Sequence, residues 1–193
     1  MVHDDLAAAP RELPEDLEAL ARSLHAQISG FLAALADVAR GEEPEYALSL
    51  ILLETSQLAL AGGRVGALGD LWPAGRYEED AGPEPDLDGL RLGLRRLLGP
   101  VDAYADVVDP VDPGRGTAVF RVSDELAAVS ADLLHGLAHY DAGRLGEALW
   151  WWQYSYLASW GQSLTSAMRA VQSLVAHTRL DAETPLAATG TMG

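Results

Sequence analysis

Residues 135–161, HGLAHYDAGRLGEALWWWQYSYLASWG, contain the pattern that decides the fold. Apolar residues at helical spacing lead up to Tyr140, and a second apolar run begins shortly after Gly143. Glycine just past the end of a helix is typical of a C-terminal cap. Because a short connection makes neighbouring helices antiparallel, the stretch predicts a helical hairpin with a tight glycine corner. No run of the chain alternates convincingly with period two, so we predict an all-α fold.

The predicted hairpin over residues 132–160 resembles one tetratricopeptide unit, which spaces a small residue, an aromatic, an alanine and a second aromatic across two helices. The residues at those intervals are Gly136, His139, Ala148 and Trp152. In this interpretation the two small residues allow close approach, and Trp152 fills the space between the helices. Asp132 and Trp160 stand where the pattern has Trp and Pro. Since a solenoid needs about three units, we predict a bundle with one repeat-like hairpin.

Glycine and proline divide the rest of the chain into helices. The predicted helices cover about residues 14–40, 44–61, 86–98, 123–141, 144–160 and 162–180. Gly62-Gly63 is expected to end the second helix, and Trp160-Gly161 to separate the last two.

The segments between the helices are expected to be irregular. Long loops are predicted at 70–86 and 109–122, with a short helical turn after Pro100 and a few extended residues around Val119 to Val122. The whole pattern predicts one antiparallel bundle of about six helices over 14–181. Flexible tails are expected at 1–13 and 182–193.

Composition excludes several classes of function. The chain has 193 residues, with 13 basic and 29 acidic side chains and a net charge of −16, which argues against a nucleic-acid partner. The absence of cysteine rules out disulfides and thiolate metal sites. No apolar run approaches the roughly 18 residues of a membrane span. The acidic N-terminus lacks a signal-peptide pattern, so we expect a cytoplasmic protein that does not contact a membrane.

Four segments resemble a bacterial family described only as a domain of unknown function. They are LLETSQLALAGGR (52–64), RYEEDAGPEPD (76–86), VDAYADVVDP (101–110) and the hairpin stretch at 135–161. The resemblance covers about residues 20–180. It implies an all-helical fold, and it brings no activity, cofactor or site residue.

His135 and His139 are the first candidates for chemistry, because their i, i+4 spacing places both imidazoles on one helix face. Two such rings can bind one divalent metal ion if further ligands come from elsewhere. The candidates for those ligands are Glu54, Asp132, Glu147 and His177. In the alternative interpretation both histidines pack in the hairpin seam. No cofactor other than this metal is expected.

The aromatic run at 150–160 also allows two interpretations. Trp152, Tyr156 and Trp160 share one helical face, whereas Trp150 and Tyr154 share another. Either this helix is central to the core, or some of the aromatics line a groove or an interface between subunits. The absence of interleaved cations argues against a base-stacking platform. A small-ligand pocket would draw on Glu54, His135, His139, Trp150 and Tyr154.

The sequence therefore supports one leading interpretation and two alternatives. The leading one is a non-catalytic helical protein that acts by contact with a protein partner or by self-association as a homodimer. The alternatives are a metal-binding enzyme or sensor that uses His135 and His139, and a helical bundle that binds a small ligand.

Overall fold

A computed structural model describes residues 13–42, 44–73 and 82–180. Its elements are α1 (Glu15–Arg40), α2 (Ala47–Gly66), α3 (Asp88–Leu98), β1 (Ala103–Val107), β2 (Thr117–Arg121), α4 (Val122–Asp141), α5 (Leu145–Ser155) and α6 (Gly161–Leu180). The predicted all-α bundle is confirmed, with one small hairpin added. Both predicted tails, apart from residue 13, and residues 74–81 of the predicted loop lie outside the described residues.

The apolar stripe of α1 forms one wall of the core, as its spacing predicts. Its fully buried members are Ala21, Leu24, Ile28, Phe31, Leu35 and Val38. The helix ends at Gly41, whose positive φ of 81° lets its N–H turn back to the carbonyl groups of the last turn. Helix α1 packs against α2 and α3, and α2 packs in turn against α6.

Helices α4 and α5 form the predicted hairpin. Gly143, with φ of +77°, makes the corner between them. A Cβ on Gly136 would overlap the indole ring of Trp152, so only glycine allows the two helices this separation. The indole N–H of Trp152 donates to the Leu133 carbonyl at 3.3 Å, and that of Trp151 donates to the Asp132 carbonyl at 2.8 Å. The hairpin therefore satisfies the polar atoms of the aromatics that it buries.

The predicted break at Trp160-Gly161 is wrong, because α5 continues into α6 through one π-helical turn at Tyr156–Trp160. Gly161 keeps right-handed helical geometry, with φ of −64°. Its missing side chain makes room for Tyr156, whose carbonyl oxygen would lie 2.5 Å from a Cβ at this position. Glycine here serves close packing rather than termination.

The predicted stop at Gly62-Gly63 is wrong for a similar reason, since α2 continues to Gly66. A Cβ on Gly62 would lie 2.5 Å from the ring of Tyr156 and 2.6 Å from that of Trp160. The helix ends instead where Gln153 meets it. The buried Gln153 side chain donates to the carbonyls of Val65 and Gly69 at 3.1 and 3.2 Å, and it accepts from the Leu71 N–H at 2.8 Å.

A two-stranded antiparallel hairpin is the main feature that the sequence did not predict. Strands β1 and β2 pair from Ala103 with Arg121 to Val107 with Thr117. The short turn expected after Pro100 is present as a 3₁₀ turn at Gly99–Asp102, and the extended residues expected near Val119 belong to β2. Five-residue strands with half-exposed faces give too short an alternation to detect.

Asp102 ties this hairpin to the start of α4. Its buried carboxylate accepts hydrogen bonds at 2.8 Å from both the backbone N–H and the hydroxyl of Ser123. Arg95 and Arg121 lie within 4 Å of the same carboxylate. The Asp102 carboxylate accepts from a backbone N–H that has no partner within α4, and its negative charge interacts favourably with the positive end of the helix dipole. These contacts fix the position of the β-hairpin on the bundle.

The two neighbouring glycines of α2 provide a matched test of the packing. We expect Gly62→Ala to lower the free energy of unfolding by about 1–3 kcal/mol, because the new methyl group must displace the rings of Tyr156 and Trp160. Gly63 has no atom near its Cβ position, so Gly63→Ala should raise stability by up to about 1 kcal/mol. Urea unfolding monitored by circular dichroism measures both. Equal effects at the two positions would contradict the packing described above.

Candidate functional site

The predicted site residues on α4 and α5 form a connected aromatic cluster. The ring centroids of His135 and Trp151 are 3.9 Å apart, and those of Trp150 and Tyr154 are 5.7 Å apart in a stacked pair. Trp150 and Trp151 join the two pairs at 6.1 Å. The cluster continues the hairpin seam outward, where Tyr154 is more than half exposed.

His139 lies at the buried end of this cluster. The Arg144 guanidinium donates from Nε to His139 Nδ1 at 3.2 Å, so Nδ1 is the acceptor and Nε2 carries the ring proton. The His135 ring lies edge-on at 5.2 Å. No group of three His, Asp or Glu side chains suited to a metal ion occurs among the residues that the structure describes. Metal binding by His135 and His139 therefore stays a prediction.

Glu54 lies apart from the other four predicted residues. It belongs to α2, and within the described ranges no hydrogen bond, ion pair or ring contact joins it to His135, His139, Trp150 or Tyr154. The structure thus brings four of the five candidates together on one hairpin and leaves Glu54 on another helix.

A cleft of about 440 Å³ lies between the β-hairpin and α6; of its lining residues, the sequence analysis had named only His177, as a candidate metal ligand. Strand β1 and the preceding turn form one wall and the C-terminal half of α6 forms the other. The lining side chains are Val101, Ala103, Tyr104 and Ala105 on the first wall, and Arg169, Ala170, Ser173, Leu174 and His177 on the second.

Asp106 and Arg169 hold the two walls together. The Asp106 carboxylate, on β1, accepts hydrogen bonds from the Arg169 guanidinium and the Ser166 hydroxyl of α6, and from the Val107 N–H at 2.6 Å. The Arg169 guanidinium, followed by the hydrogen bonds from Ser166 and Val107, lowers the pKa of Asp106 below its ordinary value. This ion pair, between a buried carboxylate and an exposed guanidinium, therefore fixes both the hairpin and the direction of the Arg169 side chain.

Tyr104 carries a buried polar atom beside this pair. Its hydroxyl has no well-formed hydrogen bond with any described group, although the Ser166 hydroxyl, which donates to Asp106, lies near it. Burial, reinforced by the acids Glu125 and Asp106, raises the pKa of Tyr104 to about 12. The hydroxyl therefore stays a hydrogen-bond donor at neutral pH, and leaving such a donor unsatisfied costs about 1–3 kcal/mol.

The sequence contained one signal for this cleft. Arg169, Ser173 and His177 recur at four-residue spacing, which places them along one face of α6. The signal could not be interpreted alone, because the opposite wall comes from a hairpin that sequence reasoning missed.

The outer face of α2 is a second exposed feature. Tyr46, at the end of the preceding 3₁₀ turn, and Leu53 and Leu60 are 57%, 52% and 61% exposed. Their seven-residue spacing keeps them on one side of the helix over about 21 Å. Leu50 and Gln57 lie between them on the same side, and Arg64 continues that side toward the C-terminal end.

The described helices include none that is both long and apolar enough to cross a lipid bilayer. The family model described as "Domain of unknown function (DUF5063)" matches residues 15–177. The fold is similar to the crystal structure of protein BF1032 from Bacteroides fragilis, with a TM-score of 0.63 and 19% sequence identity over 78% of this chain and 89% of that chain. No curated protein matches the sequence significantly.

Because of the ion pair between Asp106 and Arg169, the free energy of unfolding is expected to depend on pH in the acid range. Because the pKa of Asp106 is lowered in the folded protein, its contribution is present above the ordinary aspartate pKa of about 3.9 and is lost as pH falls through the lower folded value. We expect Asp106→Asn to destabilise the protein by about 1–3 kcal/mol at pH 7. The difference from the wild type should shrink below about pH 4.

Thermal unfolding of both proteins between pH 7 and pH 3 measures this difference. Asp112→Asn is the matched control, because Asp112 is exposed and forms no ion pair with a described side chain. A destabilisation by Asp106→Asn that is independent of pH would contradict the proposed role of the charge.

Proposed function

The chain belongs to the DUF5063 family, a domain of unknown function, and from its surface we propose that it is a non-catalytic helical protein that acts by protein contact. The proposed contact is self-association of two copies through the outer face of α2. The observation that carries the proposal is the row of Tyr46, Leu53 and Leu60, each of which is more than half exposed and uncovered by the residues that the structure describes.

The aromatic run of α5 supplies less of this surface than the sequence suggested. Trp152 and Trp160 are buried, and the indole N–H groups of Trp151, Trp152 and Trp160 all donate to backbone carbonyls. The area and the polar atoms of these three rings are therefore used inside the fold, and the exposed apolar surface of this run comes down to Tyr154 and Leu157.

The absence of acidic side chains from the exposed row of α2 favours a second copy of the chain as the binding partner. Two chains with a net charge of −16 repel each other, so a contact between them needs a surface without acids. The row that runs through Tyr46, Leu50, Leu53, Gln57, Leu60 and Arg64 contains no acid and one cation.

The spacing of this row is compatible with two-fold symmetry. If two α2 helices pack antiparallel with Leu53 near the axis, Tyr46 of one copy meets Leu60 of the other. Glu45 at one end of the row then approaches Arg64 of the second copy at the other end. Heptad spacing of apolar side chains is also the repeat that lets two helices pack along their length.

Light scattering over a concentration series tests self-association. The row has six residues, fewer than the roughly 20–30 per partner of a standard interface, so we expect a dimer with a dissociation constant on the order of 10 µM. Leu53→Glu and Leu60→Glu should each weaken the dimer at least about tenfold, because each places a charge in the apolar centre. Circular dichroism confirms that the variants remain folded.

The matched control is Leu92→Glu on α3. Leu92 is 56% exposed, similar to Leu53, and it is not on the proposed face. Its substitution should leave the dissociation constant unchanged. A wild-type protein that stays monomeric up to about 1 mM, well above the expected constant, would overturn the proposal. A dimer that Leu92→Glu and Leu53→Glu weaken equally would do the same.

A further inference from the structure

We propose that the cleft between β1 and α6 binds a small organic carboxylate with an apolar body, held by the guanidinium of Arg169. This site is separate from the α2 face, and the proposal does not depend on self-association. Three observations support it: the size and lining of the cleft, the sign of its charge, and the fixed position of Arg169.

The size and lining suit a small molecule. Ligand sites are typically about 300–1,000 Å³ and mostly apolar, with a few placed polar groups, and this cleft has about 440 Å³. Alanine and leucine side chains from both walls supply the apolar surface, and the Tyr104 ring adds an aromatic face. Ser173, one helical turn from Arg169 on α6, supplies a hydroxyl on the same side.

The lining residues themselves carry cationic groups and no acid, whereas Asp106 and Glu125 act on Tyr104 from outside the lining. The nine lining residues include Arg169 and His177 and no acid, on a chain with 29 acids and 13 arginines. His177 Nδ1 lies 2.8 Å from the Ser173 carbonyl oxygen, which only accepts, so Nδ1 is the donor in this bond and Nε2 is not engaged in it. Asp106 is not part of the lining.

Arg169 is held in place before any ligand arrives. One terminal nitrogen bonds Asp106, which Ser166 and the Val107 N–H hold from other sides. A guanidinium has five N–H donors, and the Arg169 side chain is largely exposed, so donors remain for a carboxylate. A fixed arginine loses less conformational freedom on binding than a mobile one does, and this favours affinity.

The experiment uses a matched pair of probes on the full chain. 3-(4-Fluorophenyl)propionate and its amide have the same apolar body and differ in charge. Each is titrated into ¹⁵N-labelled protein, and backbone amide shifts locate the site. We expect the carboxylate to bind at least about tenfold more tightly than the amide, as a charge-assisted bidentate contact predicts. The shifts should cluster at 103–105 and 169–177.

Two variants and one control isolate the groups involved. Arg169→Gln should weaken carboxylate binding at least about tenfold and leave amide binding nearly unchanged. Arg179→Gln, on the same helix and outside the lining, should change neither. Because Arg169→Gln also removes the ion pair with Asp106, Ser173→Phe serves as a second variant. It fills the cleft without touching that pair and should abolish binding of both probes.

Several results would overturn the proposal. One is the absence of shifts at the cleft up to about 20 mM carboxylate, well above millimolar affinity. Others are equal affinity for the two probes, carboxylate binding that survives Ser173→Phe in folded protein, and shifts that cluster elsewhere. The most informative alternative location is the concavity of about 700 Å³ between α1 and α3, which is lined by Arg40 and Arg96.

Discussion

The structure depends on large aromatic rings that pack into gaps left by glycine. Trp152 occupies the space where Gly136 has no side chain, and Tyr156 occupies the space beside Gly62, Gly66 and Gly161. These contacts join α5 and the start of α6 to α4 on one side and to α2 on the other. Because the core is densely packed, these rings cannot move aside for an added methyl group unless the helices that carry them also move. The contacts are therefore sensitive to a single added methyl group.

Helical periodicity was sufficient to predict the helices and the corner at Gly143. It failed at Gly62 and Gly161, where glycine was interpreted as a terminator. Glycine ends a helix when it adopts positive φ, as Gly41 does, whereas Gly161 keeps ordinary helical geometry and provides space. Sequence alone does not distinguish the two uses, because the ring that needs the space comes from elsewhere in the chain.

A candidate site could be predicted from the sequence only where its residues lie close together in the chain. The i, i+4 histidines and the aromatic run were correctly placed on one hairpin, because both follow from local helical spacing. The cleft beside Arg169 requires β1, whose five residues alternate too briefly to be detected. It also requires the pairing of Asp106 with Arg169, which are 63 residues apart and have no local signature. Glu54 was proposed for the same site as the two histidines from its place in a core helix, and the structure puts it on α2 rather than on the α4–α5 hairpin, so its part in such a site stays a prediction.

The π-helical turn at Tyr156–Trp160 sets the angular phase of everything that follows it. A π turn holds one residue more than an α turn, and one residue corresponds to a rotation of about 100° around the helix axis. If the same residues formed an uninterrupted α-helix instead, the rest of α6 would be rotated by about that angle. Arg169 would then turn away from Asp106, and the small hairpin would lose its partner on the bundle. The π-helical turn at Tyr156–Trp160 thus determines whether the α6 wall of the cleft faces the β1 wall.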